Sequence, residues 1–283
     1  MPSLNVKQKH YYMRNISMKN TTQLLEIMAQ LRDKEKGCPW DIEQDFVSIA
    51  PHTLEEAYEV ADAIARGDMQ ALKEELGDLL FQVVFLSRIA EESGLFDFEA
   101  VAASMSEKLI RRHPHIFADA TMVRTADEQT ERWEAIKAEE RKGKSEESGK
   151  AQSVLDDVPF NLPALLRASK LQKRASRVGF DWEKTEHILD KIEEEIQELR
   201  VEMAGNQPKN IEEELGDVLF SCVNLANRIG SNAESALRST NAKFERRFRY
   251  IEQSIATQGG TLETSSLEAM DALWNEAKRL EKS

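Results

Sequence analysis

Cysteine is nearly absent. Cys38 and Cys222 stand far apart without metal-ligand spacing, so neither a disulfide framework nor a cysteine-held metal has support. Glycine and proline are sparse, 12 and 7 in 283 residues, which leaves few points where a helix must stop. No apolar run reaches membrane-spanning length and no secretory hydrophobic region is evident, so the default expectation is a cytoplasmic protein with no membrane partner. Positive charge is in deficit: a formal net charge of −13 argues against nonspecific nucleic-acid binding, which needs a broad positive surface. That balance still allows a small phosphorylated ligand held by a metal and a few local cations.

What is present is enough apolar material to build cores, 41% of the chain, with Leu, Ala, Glu and Lys recurring at helical spacing. A length of 283 residues suits one large or two ordinary domains. The expected class is all-α. Residues 1–20 show no periodicity and read as a flexible extension, within which Met18 is an alternative start.

An internal repeat decides between one domain and two. Glu55-Glu56-Ala57-Tyr58-Glu59 followed by Glu75-Leu76-Gly77-Asp78 returns as Glu194-Glu195-Ile196-Gln197-Glu198 followed by Glu214-Leu215-Gly216-Asp217, with identical internal separation. The Gly, Ser, Lys and Glu stretch from Lys142 carries almost no apolar residue and marks a linker. The expected division is therefore an N-terminal helical domain over 21–141, a linker over 142–153 and a C-terminal helical domain over 154–283.

Periodicity predicts helices at about 22–34, 53–66, 69–92, 98–112 and 126–141 in the first half. In the second half it predicts helices at about 183–204, 210–229, 232–255 and 267–280. Thr53 with Glu56, and Ser231 with Glu234, have capping-box spacing, and Asp97 reads as an N-cap. Gly37-Cys38-Pro39-Trp40-Asp41 breaks the first helix and is echoed by Gly179-Phe180-Asp181-Trp182. Trp40 suits either buried packing or ligand contact, and Cys222 reads as a small core residue.

Spacing of three and four residues puts Glu194, Glu195 and Glu198 along one helix face, and Glu214 and Asp217 on the next helix. If the two helices are antiparallel neighbours, the acids converge, and like charges so gathered call for protons or a divalent cation. Oxygen-only ligands favour Mg2+, with Mn2+ as a substitute, over Zn2+. The first copy offers the same set as a second possible site: Glu56, Glu59, Glu75 and Asp78. Surface decoration is the plain reading of any single glutamate, but not of Asp78 and Asp217, which interrupt apolar segments.

Cations follow each motif. Lys108, Arg111 and Arg112 come after the first, and Lys243, Arg246 and Arg247 after the second; each trio could hold triphosphate oxygens or pair with surface acids. Trp274 and Lys278 are four apart on one face, fit to stack on a base and reach a phosphate, or to serve as core and surface. His113 and His115 flank the helix-ending Pro114 and suit packing better than a metal role.

Together these motifs, with Arg111-Arg112-His113-Pro114-His115 and Lys243-Phe244-Glu245-Arg246-Arg247-Phe248, resemble the full-length two-domain MazG nucleoside triphosphate pyrophosphohydrolases over residues 22–282. The resemblance implies tandem helical bundles intertwined in a homodimer. It also implies Mg2+-dependent hydrolysis of an NTP to NMP and diphosphate, broad base tolerance, and a C-terminal domain that is the main catalytic one. Roles in removing noncanonical nucleotides and in stress response are both compatible with it. Carried onto this chain, it makes Glu195, Glu198, Glu214 and Asp217 metal ligands. Glu194 or Glu195 would take the proton of the attacking water, with Lys243 and Arg247 as catalytic cations. Lys209, Lys243, Arg246, Arg247, Trp274 and Lys278 would line the nucleotide site. The family's lysine four residues before the third motif glutamate is Asn210 here, with Lys209 beside it. A nucleotide- or alarmone-binding module without turnover is the alternative.

Overall fold

The computed structural model describes residues 19–117, 125, 128–129, 132–133, 135–136, 139–140, 153–205 and 207–281. Every regular element among them is helical. The chain divides into two compact units, the break falling after residue 144. Most of the expected extension, with Met18, and nearly all of the expected linker lie outside the described residues, as does half of the predicted helix at 126–141.

In the first unit, α1 (Lys19–Leu31), α2 (Pro39–Glu43), α3 (Phe46–Arg66), α4 (Met69–Glu92), α5 (Phe98–Arg112) and α6 (Pro114–Phe117) follow in order. The α3–α4 pair is its backbone. Asp68 accepts from Gln70 and Ala71 at the start of α4, and Gly67, at φ 69°, supplies the left-handed turn that sends α4 back along α3. The prediction that a helix opens at Thr53 needs correction. The capping box is Asp45 with Ser48, the helix runs on through Pro51, and the Thr53 hydroxyl donates back to the Ile49 carbonyl. An upstream box that satisfies the first N–H groups outweighs the one backbone bond lost at Pro51.

Met28 of α1, Ile49 of α3 and Val84, Phe85 and Ile89 of α4 form the core, with Phe81 edge-on to Phe85. Arg32 closes one end of it. Buried, it stacks over Phe85 at 5.3 Å, donates to the Asp41 and Gln44 carbonyls, and pairs with Glu92 at 2.8 Å. A Cβ on Gly37 would meet the Leu31 carbonyl at 2.3 Å, so only glycine fits the reversal that carries α1 into this bracket. Trp40 is 53% exposed, edge-on to His52, and is not core.

The second unit has α7 (Ala164–Ser176), α8 (Thr185–Gly205), α9 (Pro208–Arg228), α10 (Ala233–Thr257), a 3₁₀ turn (Leu262–Thr264) and α11 (Leu267–Leu280). Here α8 and α9 are the packed pair, and α7 lies on α9 as α1 lies on α4. The N-cap of α10 is Asn232, whose side chain accepts from Ser235 at 3.0 Å; the predicted Ser231 box does not form. Cys222 is exposed, contrary to the core placement.

Candidate metal centre and its cavity

Helical register alone brings the acids together. Glu195 sits on α8, Glu214 and Asp217 one turn apart on α9, and the tight α8–α9 pairing sets them face to face. One carboxylate oxygen from each of the three lies within 4.8 Å of the others. Burial and the charges of Glu198, Asp217 and Glu195 hold the Glu214 carboxyl above its usual range. Glu198 thus stands in the same field, although outside the tightest trio.

The first unit builds the same cluster from Glu56 on α3 and Glu75 and Asp78 on α4, again within 4.8 Å. Burial, with Glu59 and Asp78, raises the Glu75 carboxyl; burial, Asp78 and Glu59 raise Glu56 against the opposing hydrogen bond from Gln82. Oxygen donors alone, gathered at this density, suit a hard divalent cation.

Among the described residues, a cation pairs with the C-terminal cluster and none with the N-terminal one. Lys191, one turn before Glu195 on α8, places its Nζ 2.8 Å from Glu195 and 2.9 Å from Glu194, and the two carboxylates, Glu195 foremost, push the lysine upward. Glu194 is otherwise exposed. Beside this pair opens a cavity of about 790 Å³, walled by α7, the 177–184 turn, α8 and α9. Glu195, Asp217 and Lys191 form part of its wall. Phe180 and Trp182 are aromatic faces on the turn, and Ser221, Asn224 and Asn227 offer polar groups from α9. The wall is braced: Ser169 donates to Asn227 at 2.6 Å, Asn227 to Gln172 at 2.9 Å, Gln172 to the Phe220 carbonyl at 2.8 Å, and Arg228 to the Trp182 and Glu183 carbonyls.

The sequence-predicted cations stand elsewhere within the described chain. Arg246 and Arg247, near the middle of α10, both clamp Glu281 just past α11, at 3.3 and 2.6 Å. Arg247 also lies 5.2 Å from the Trp274 ring, which packs on Phe244. Lys243, Arg246, Arg247, Trp274 and Lys278 are on α10 and α11, neither of which lines the cavity. Lys209 is exposed and 3.8 Å from Glu213; Asn210 bonds Glu202 at 2.9 Å. The first unit repeats the clamp, with Arg111 and Arg112 on Glu140 at 2.7 and 2.6 Å, holding that carboxyl down at about 2. His113 stacks edge-on against Trp133, a packing role.

Sequence reasoning missed α7 and with it the cavity. Leu165, Leu166, Ala168, Leu171 and Ala175 do recur at helical spacing, and Pro163 precedes them, but the run is short and rich in Lys and Arg. Lys191 was passed over although it precedes Glu195 by one turn.

The model of the MazG nucleotide pyrophosphohydrolase domain matches twice, at residues 44–117 and 183–251. A nucleoside triphosphate pyrophosphohydrolase of Escherichia coli (strain K12) is 51% identical over 93% of this chain and 99% of its own length. A nucleoside triphosphate pyrophosphohydrolase/pyrophosphatase of Thermotoga maritima is 43% identical over 90% of this chain and 94% of its own length. The crystal structure of a MazG-related protein from Thermotoga maritima aligns at TM-score 0.35 and 27% identity, over 41% of this chain and 98% of that one. With two domain matches, each containing one of the two acidic clusters, and relatives similar along nearly its whole length, the chain belongs to the MazG nucleotide pyrophosphohydrolase family.

Proposed function

We propose that the C-terminal unit hydrolyses nucleoside triphosphates between the α and β phosphorus atoms, giving NMP and diphosphate. The observation that carries this reading is that Glu195 and Asp217 belong both to the acidic cluster and to the wall of the 790 Å³ cavity. A metal-bound triphosphate at the cluster would therefore have its nucleoside end in the cavity. Relatives similar over nearly the whole chain carry the corresponding name.

Glu195, Glu198, Glu214 and Asp217 would hold the cation, Mg2+ or in its place Mn2+. When bound, it would neutralise charge at the α-phosphate and lower the pKa of the attacking water. Glu194 lies outside the tight trio, exposed beside Lys191 at 2.9 Å, so Glu194 or Glu195 would accept that water's proton. Phe180 and Trp182 can stack on any base, which fits broad base tolerance. In this reading Lys243, Arg247, Trp274 and Lys278 meet the triphosphate from the second copy in a homodimer. Exposed Leu215, Leu219, Phe220, Leu237 and Phe244 supply apolar surface for such an assembly. House-cleaning and stress-response roles in the cytoplasm are both compatible with this activity.

The test is product analysis: the purified chain incubated with several NTPs and Mg2+, the products resolved by anion exchange. NMP and diphosphate, lost on chelation, are expected. NDP plus phosphate would reject the cleavage position, and no product from any NTP would turn the site into a nucleotide-binding module.

A further inference from the structure

Near the end of each unit a motif recurs that the acidic clusters do not explain. Trp133, Lys137 and Glu140 return as Trp274, Lys278 and Glu281 with the same spacing, each set following an arginine pair, Arg111-Arg112 and Arg246-Arg247. The length of chain between pair and motif differs in the two copies, yet in both the final glutamate closes on both arginines. Local preference does not account for that glutamate. Glu281 caps the C-terminal end of α11 with helical backbone, φ −68° and ψ −16°, where the helix dipole favours a cation. Tertiary contacts therefore decide its place.

Those contacts converge on one guanidinium. Trp274 and Glu281 are seven apart, two turns along one face of α11, and both meet Arg247 of α10. Arg247 Nε and Nη2 donate to Glu281 Oε2 at 2.9 and 2.6 Å, while Arg246 reaches Oε1 at 3.3 Å, so both carboxylate oxygens are engaged. The Arg247 guanidinium carbon stands 5.2 Å from the centre of the Trp274 ring, which leans on the stacked Phe244 and Phe248. Only 12% of the Arg247 side chain is exposed, against 62% for Arg246, which makes Arg247 the ordered member of the pair.

One edge of that fork stays free. Arg247 Nη1 donates to nothing among the described residues, and Lys243, one turn earlier on α10, has no partner there either. Guanidinium donors lie in one rigid plane, so fixing Nε and Nη2 also fixes the direction of Nη1.

We infer that Glu281 is a positioning residue for nucleotide hydrolysis: it holds the Arg247 guanidinium so that Nη1, together with Lys243, is presented to the triphosphate. The inference rests on the reading in which Arg247 meets the triphosphate. Glu281 itself touches no substrate. A donor already held in place needs no reorganisation as charge develops on the departing diphosphate, which is where such order counts most.

Steady-state release of diphosphate from ATP and Mg2+ by the full-length chain tests it. Glu281→Gln keeps the size of the side chain and removes its charge. It is expected to lower kcat by about 10–100-fold with KM within about twofold of wild type, the pattern of an interaction made in the transition state. Glu281→Asp should recover part of the loss. Adding Glu281→Gln to Arg247→Ala should lower kcat no further, because the carboxylate then has no guanidinium to hold. Equal kcat in wild type and Glu281→Gln, or a further fall in the double variant, would overturn the inference and leave Glu281 as a pin between α10 and α11. The wild-type products keep the two readings apart: no NMP and diphosphate would reject both, whereas normal wild-type turnover with either of those results rejects this inference alone.

Discussion

Lys191 Nζ stands 2.8 Å from the buried Glu195 carboxylate, making a lysine the resident counter-ion of an acidic cluster in which Glu214 and Asp217 remain. An ammonium at that position supplies charge balance when no metal does. Removing the ammonium would leave the buried Glu195 carboxylate unpaired among like charges, which costs more than losing an exposed pair, whose typical worth is below about 1 kcal/mol.

Lys191→Met should therefore lower the melting temperature of the chelator-treated protein by about 2–4 °C, the shift expected for roughly 1 kcal/mol in a unit of this size. In excess Mg2+ the difference should shrink, because the cation replaces the ammonium. Differential scanning calorimetry with and without Mg2+ checks it; an equal shift in both conditions would assign Lys191 to packing.

Asp217 is exposed and makes no core contact, so Asp217→Asn should fold normally. Loss of an outer-sphere partner already costs about 10–100-fold in metal affinity or activity, so loss of a ligand should reduce turnover by more than about 100-fold. Unchanged turnover at saturating Mg2+ would remove Asp217 from the reaction.

Asn224 lines the cavity from α9, away from the acid trio. Asn224→Leu should raise KM for NTPs about tenfold with little change in kcat, the signature of binding shared by ground and transition states. A fall confined to kcat would place it at the reacting phosphate.

Mixed dimers test whether the α10 cations act across a dimer. Lys243→Ala and Asp217→Asn should each be nearly inactive, yet coexpression should recover roughly a quarter of wild-type activity, from the half of the dimers that are mixed and have one intact site of two. Recovery of none would put both residues in one chain's site.

The clamp on Glu281 gives a pH prediction. Arg247, and then Arg246, hold that carboxyl below its ordinary value of 4.5. Its contribution to stability is thus complete above the unfolded-state value and disappears as pH falls through the lower folded-state one. The melting-temperature gap between wild type and Glu281→Gln should be widest near neutrality and start to close below about pH 4.5. A gap that persists unchanged to acid pH would mean the contact is not ionic.

The helical class, the repeat and the convergence of the acids were legible in the sequence because they depend on local spacing. Residues three and four apart share a face whatever the helix packs against, and the predicted spans 69–92, 98–112 and 267–280 coincide with the observed helices. Helix starts were harder to place: Asp45 and Asn232 displaced the expected caps, since several polar side chains compete for the same N–H groups and only the path of the preceding chain selects one.

What only tertiary structure decided is which partner each side chain has. Arg247 faces Glu281 and Trp274, Lys191 faces Glu195, and Gln82 is buried against Glu56. Asn224 and Arg228 border the cavity beside Glu195 and Asp217, while Phe85 and Ile89 pack into the core of the first unit. Such differences arise from volume and polarity summed over four packed elements, a property that no spacing along a single helix encodes.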